Sequence, residues 1–178
     1  MNSAVRRNDL SNLVSKWFAF YVFPHCEKSV YADLVHLGLD AYLPVRKEIH
    51  QWSDRKKSIE TPLFTSYVFA KIFREDFYAK IKFIEKIVKI VDIGGEIISI
   101  PEAEMNWLKL ICESSNAVES RPIDDVQTGD QVRLNSGLLK GLEGKLVLNL
   151  GKNKFAFELS LMKRMLILEI NRNEIVKV

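Results

Sequence analysis

Residues Thr61–Phe73 read TPLFTSYVFAKIF. In an extended chain Leu63, Tyr67, Phe69 and Phe73 fall on one side, and Phe64, Val68, Ala70 and Ile72 on the other. A strand apolar on both faces belongs in the middle of a sheet, covered above and below. Pro62 has no amide donor, so it can open such a strand but not sit inside it. Upstream, Trp17–Phe23 (WFAFYVF) predicts a second strand of the same kind, broken by Pro24. From His25 to Leu37, Val30, Leu34 and Leu37 recur at helical spacing, and Gly38 supplies the stop. Asp40–Ile49 reads as a strand that Pro44 confines to an edge, and HQWSDRKKS is the loop back to the central strand. Downstream, Phe77, Ile81 and Ile84 predict a short amphipathic helix within Arg74–Glu85. Lys86–Ile100 is a hairpin turning at Gly94-Gly95. Pro101 with Glu102 and Glu104 opens a last helix, striped by Met105, Leu108, Ile111 and Cys112.

This order, roughly β-α-β-β-α-β-β-α, predicts an α+β domain over residues 15–113, an antiparallel sheet flanked by helices. Residues 114–125 are polar and without period, the expected linker. From 126 to 178 the pattern changes to short strands: QVRLN, GKLVLNL, FAFELSL, MLILEI and EIVKV. Five short strands in so small a unit predict a β-barrel.

The chain has 178 residues, a net charge of +3, 47% hydrophobic and 28% charged residues, a soluble globular composition. Charge is unevenly placed. Arg46, Lys47, Arg55, Lys56 and Lys57 lie close together against Glu48 and Asp54, whereas Glu113–Asp130 holds five carboxylates against Arg121 alone. Cys26 and Cys112 form no CxxC pair or metal spacing, and two unbridged thiols fit a reducing cytoplasm. The start, MNSAVRRNDLSN, lacks the apolar stretch of a signal peptide, and no apolar run spans a bilayer. There is no phosphate-binding glycine loop and no supported catalytic pairing, so no enzyme, metal or cofactor is expected. The expected chain is a cytoplasmic monomer.

The stretch TGDQVRLNSGLLKGLEGKL resembles the KOW motif, with Gly137, Gly141 and Gly144 where the chain turns and approaches itself. The tryptophan-led strand, HCEKSVYADL, AYLP and PLFTSYVFAKI together resemble the N-terminal (NGN) domain of the NusG family. The PLF-x-x-Y-x-F run is similar to the specialised RfaH branch, and the whole layout to the UpxY-type antitermination factors of capsule loci. The resemblance covers Lys16–Val178 and implies an NGN domain followed by an SH3-like KOW barrel.

It also implies partners. The NGN domain would take the β′ clamp helices of RNA polymerase in an apolar depression made by Tyr21, Phe64, Tyr67, Met105 and Leu108; the alternative is ordinary core, against which the hydroxyls of Tyr21 and Tyr67 call for a polar rim. It would reach the β gate loop near Tyr78 and Lys80. His25, Lys28 and His36 on the first helix would face non-template DNA or nascent RNA, or simply be exposed. Arg46, Lys47, Trp52, Arg55, Lys56 and Lys57 would supply phosphate contacts and a stacking ring, or form a solvated hairpin tip. The KOW edge near Leu161, Met162, Lys163 and Arg164 would recruit Rho or a small-subunit ribosomal protein. In RfaH this domain refolds as a helical hairpin; here LSLMKRMLILEI has helix formers yet alternates as strands do. The implied function is suppression of pausing and termination in selected operons, those of surface polysaccharides. The alternatives are a general NusG-type elongation factor or an RNA- or ribosome-binding KOW protein. The KOW unit carries nine Lys/Arg against five Asp/Glu over Asp130–Val178, only moderately basic for the latter.

Overall fold

The two aromatic-rich runs pair with each other. In the computed structural model, β1 (Lys16–Val22) lies antiparallel to β5 (Tyr67–Ile72), from Lys16 opposite Ile72 to Tyr21 opposite Tyr67. The structure describes residues 14–51, 56–73, 76, 79–114, 118–148, 150 and 154–178, and side chains within these except at 48–51, 56–58 and 172. They form a mixed α/β structure of antiparallel sheets and two α-helices. The chain divides into two compact units, residues 1–43 with 65–102 and residues 44–64 with 103–178.

In the first unit, β2 (Asp40–Tyr42) and β6 (Ile87–Ile90) complete a four-stranded sheet in the order β2-β5-β1-β6. The two central strands are those apolar on both faces, as burial on both sides demands. Phe18, Phe20 and Val22 of β1 and Val68, Ala70 and Ile72 of β5 share one face with Val30 and Leu34 of α1 (Glu27–His36). Each fully buried side chain of this size contributes about 1.5–3 kcal/mol. The helix ends as expected at Gly38, whose φ of 75° is free of strain only for glycine. The Gly94-Gly95 turn, both residues at positive φ, joins β7 (Asp92–Ile93) to β8 (Glu96–Ile97).

Two strand expectations are corrected. Thr61–Phe73 is not one strand: β4 (Lys56–Pro62) ends at Pro62, Leu63–Ser66 turn, and β5 begins at Tyr67. Pro62 closes a strand instead of opening one. Likewise Asp40–Ile49 breaks at Leu43-Pro44 into β2 and β3 (Val45–Gln51). Within Arg74–Glu85, the described residues show a helical bond from the Lys80 amide to the Asp76 carbonyl (2.9 Å) and a 3-10 turn at Ile81–Phe83.

In the second unit, β3 and β4 form a hairpin in register from Val45 opposite Pro62 to Gln51 opposite Lys56. The helix predicted after Pro101 is α2 (Glu102–Ser114), and Met105, Leu108 and Ile111 are its buried positions. The stretch expected to be a plain linker contains β9 (Glu119–Pro122) and a 3-10 turn at Ile123–Asp125. The five expected strands form as β10 (Thr128–Leu134), β11 (Glu143–Val147), β12 (Lys154–Leu159), β13 (Arg164–Glu169) and β14 (Ile175–Lys177). They pair in the order β14-β10-β11-β12-β13-β9, so among the described residues the sheet is open and not the expected closed barrel. Val126, Val147, Ala156, Met165 and Ile167 form a core on one face. Leu166 and Leu168, which alternate with Met165 and Ile167, are also buried, so β13 is covered on both faces.

Candidate functional site

Alternation along β1 and β5 places Tyr21 and Tyr67 on the face opposite α1. They are direct register partners, and their rings meet edge to face, centroids 5.5 Å apart at 66°. Such a pair contributes about 0.5–1.5 kcal/mol beyond area burial. Across β1 the next residue in the row is Lys89 of β6, paired in register with Tyr21. Lys89 reaches Asp92 at 2.9 Å, and Asp92 also accepts the Gly95 amide at 3.1 Å. The hydrogen bond to Asp92, then its charge, raises the Lys89 pKa; the hydrogen bonds from Lys89 and Gly95 hold the Asp92 carboxyl below its ordinary value. Both tyrosines are partly exposed, while Trp17, Ala19 and Phe69 farther along the same face are buried. An exposed aromatic pair bordered by a cation, at the rim of an otherwise covered face, is suited to anchor an apolar partner with a polar edge.

The other residues expected in the depression are not exposed: Phe64, Met105 and Leu108 are all buried. The expected gate-loop contacts divide. Lys80 is exposed and pairs with Asp76 at 3.1 Å, whereas Tyr78 lies outside the described residues. His25, Lys28 and His36 are exposed around α1. His25 also has φ of 65°, so it makes the turn between β1 and α1, a conformation histidine enters more readily than most residues. Arg46 and Lys47 are exposed on β3, and the Arg46 Nε donates to Thr61 Oγ1 at 3.4 Å. The backbone places Lys56 and Lys57 opposite Gln51 and His50; Trp52 and Arg55 lie outside the described residues.

The glycine expectations separate by cause. Gly137 and Gly141 have φ of 75° and 92°, and a side chain at either would be strained. Gly144 is required by close approach instead: a Cβ there would collide with the Ala156 carbonyl and the Phe155 ring. The expected partner edge is partly occupied. Leu161 and Met162 are half-buried in a 3-10 turn, and Lys163 is exposed with φ of 50°. Arg164 donates from Nε to Ser120 Oγ at 2.9 Å and from its terminal nitrogen to the Ser120 carbonyl at 3.1 Å. β9 therefore pairs along this edge of β13, from Ile167 opposite Glu119 to Arg164 opposite Pro122.

Lys89 and β9 were not foreseen. Only its register beside Tyr21 marks Lys89, and the residues of β9, ESRP, lack any apolar alternation. A half-buried carboxylate, Glu104 of α2, has its pKa raised by burial and then by the Glu158 charge. Among the described residues no group of three or more His, Cys, Asp or Glu could hold a metal, and neither Cys26 nor Cys112 is in a disulfide. No helix among them is long and apolar enough to cross a membrane.

The first unit's sheet thus carries an aromatic pair at its rim and charged residues on its flanks. The family profile described as NusG, transcription termination factor nusG, matches residues 15–109, more than half of the chain, and the protein belongs to that family. NusG-family proteins are non-enzymatic transcription factors that act with RNA polymerase during elongation, and this chain is a transcription elongation factor, not an enzyme. Among solved structures, "Domain interaction in Thermotoga maritima NusG" has a TM-score of 0.57 at 17% identity, covering 94% of this chain and 99% of that one. The MjSpt4:Spt5 complex, conformation A, has a TM-score of 0.30 at 18% identity, covering 91% of this chain and 97% of that one. No curated protein matches the chain.

Proposed function

We propose that this chain is a processive antitermination factor that binds RNA polymerase across its clamp and suppresses pausing and termination in selected operons, those of surface polysaccharides. The observation that carries the docking reading is the partly exposed Tyr21–Tyr67 pair beside Lys89. The pair takes the tip of the β′ clamp helices, and Lys80 lies toward the β gate loop. His25, Lys28, His36 and the basic β3–β4 hairpin face non-template DNA or nascent RNA.

Residues 126–178 act as a KOW domain, a reading supported by Gly137, Gly141 and Gly144, each with a backbone reason to be glycine. Selectivity rests on the PLF-x-x-Y-x-F run, the tryptophan-bearing basic hairpin and Met162 at a position where general NusG has an aromatic. With a weak grip on Rho, the factor holds the clamp without recruiting termination, and a small-subunit ribosomal protein remains a partner for the Leu161–Arg164 edge. Deleting the gene and sequencing transcripts tests this. Loss of distal reads in one or a few long operons is expected. Uniform pausing changes across the genome, or tight Rho binding, would replace this reading with that of a general NusG.

A further inference from the structure

Ser66 stands directly before Tyr67 with φ of 66°, in the left-handed region that a residue with a side chain enters only when held there. Two bonds hold it. Its carbonyl accepts the Val22 amide at 2.9 Å, and its own amide donates to Oε1 of Glu27 at 2.7 Å. Val22 directly follows Tyr21, so one residue is tied through both its peptide groups beside both members of the aromatic pair. Glu27 is in the first turn of α1, where acidic side chains usually stay in water. Here it is 4% exposed, as is Ser66, and it reaches a partner 39 residues away in sequence.

We infer that Glu27 is a positioning residue for the docking surface: its carboxylate fixes the left-handed Ser66, and Ser66 sets the angle at which Tyr67 leaves β5 against Tyr21. This rests on the docking role given to Tyr21 and Tyr67 above. Glu27 itself is buried and touches no partner. Without its oxygen the Ser66 amide has no acceptor in a buried site, the Thr65–Ser66 peptide is free to rotate, and Tyr67 loses its edge-to-face contact.

The test uses the full-length chain, with circular dichroism establishing that each variant is folded at the temperature of measurement. In Glu27→Ala, proton NMR is expected to show loss of Ser66 amide protection and of contacts between the Tyr21 and Tyr67 rings, while Phe20–Val68 contacts persist. Affinity for core RNA polymerase should fall about tenfold, because the left-handed Ser66 conformation that docking requires becomes a minor one. Glu27→Gln, which keeps an acceptor oxygen, should bind within about threefold of the parent. Adding Ser66→Gly to Glu27→Ala should recover most of the affinity, because glycine adopts this φ unaided; a role for Glu27 in general packing would not be rescued. Unchanged tyrosine contacts in Glu27→Ala, or absence of rescue, overturns the inference. A parallel Tyr67→Ala variant separates the two claims. If it too binds normally, the docking reading fails, and the NMR contacts alone decide whether Glu27 positions the pair. If Tyr67→Ala weakens binding and folded Glu27→Ala does not, Glu27 has no positioning role.

Discussion

The Tyr21–Tyr67 pair makes separable predictions for stability and for binding, and a double-mutant cycle reads both. Each tyrosine is largely but not fully buried, so truncation to alanine removes most of the burial energy of a large apolar side chain, about 2 kcal/mol. The edge-to-face contact adds a coupling of about 0.5–1.5 kcal/mol between the two sites. Urea melts of Tyr21→Ala, Tyr67→Ala and the double variant should therefore show less destabilisation than the sum of the singles, by about 1 kcal/mol. Binding is a different quantity. If Tyr67 is an anchor for the clamp helices, its truncation should weaken polymerase affinity by about 2 kcal/mol, roughly 30-fold, measured with folded protein. Tyr67→Phe should retain the packing and most of the affinity. A folded Tyr67→Ala chain that binds polymerase like the parent would refute the docking argument, whatever the stability cycle shows. Coupling near zero would refute the pairing itself.

Three further outcomes follow from the geometry. Gly144→Ala forces a methyl group into the Ala156 carbonyl and the Phe155 ring, and should lower stability by about 1–3 kcal/mol in a urea melt with the β10–β13 sheet affected first. Glu104 has a raised pKa, so the folded state favours its protonated form: its contribution to stability is fully present below pH 4.5 and is lost as pH rises through the shifted value. A pH series of thermal melts should show Glu104→Gln flattening that fall, and Glu158→Gln, which removes the second cause, reducing it. Changing Lys47, Lys56 and Lys57 together to alanine should make polymerase–bubble binding less salt-dependent, with the slope of log affinity against log salt reduced; an unchanged slope would assign these charges to solvent.

The elements legible in the sequence are those stabilised by their own periodicity. Trp17–Phe23 and Tyr67–Ile72 are apolar on both faces and became the two central strands; Val30 and Leu34 marked the buried side of α1. The break before Tyr67 was not legible, because serine has no local preference for positive φ and the group that holds it there is far away in sequence. Pro62 was a correct signal read for the wrong event, a beginning where it marks an end, whereas Pro44 marks both the edge expected of it, since β2 is an edge strand, and a break that was not expected. β9 was hidden for a similar reason: its polar ESRP pattern becomes a strand only by pairing with β13 and by the hold of Arg164 on Ser120. In the candidate site, the family resemblance grouped Phe64, Met105 and Leu108 with Tyr21 and Tyr67. Burial separates them, and alternation carries no information about what covers a face.

The corrected break is also what makes a docking surface physically reasonable. Had Thr61–Phe73 run as one strand, Tyr67 would sit in mid-strand between covered neighbours, and its hydroxyl would need a buried partner. Ending β4 at Pro62 and turning through Ser66 instead makes Tyr67 the first residue of β5, opposite Tyr21 near the end of β1. At that rim the rings keep apolar contact with each other while their outer edges meet water, and Lys89 supplies the polar border across β1. Farther into the sheet, Phe69, Ala19 and Trp17 are fully covered and give the pair a rigid base. A preorganised aromatic anchor loses little conformational entropy on binding, so more of its contact energy remains as affinity. The turn through Ser66 therefore leaves Tyr67 at the partly exposed start of a core strand, where the docking role proposed for it requires it.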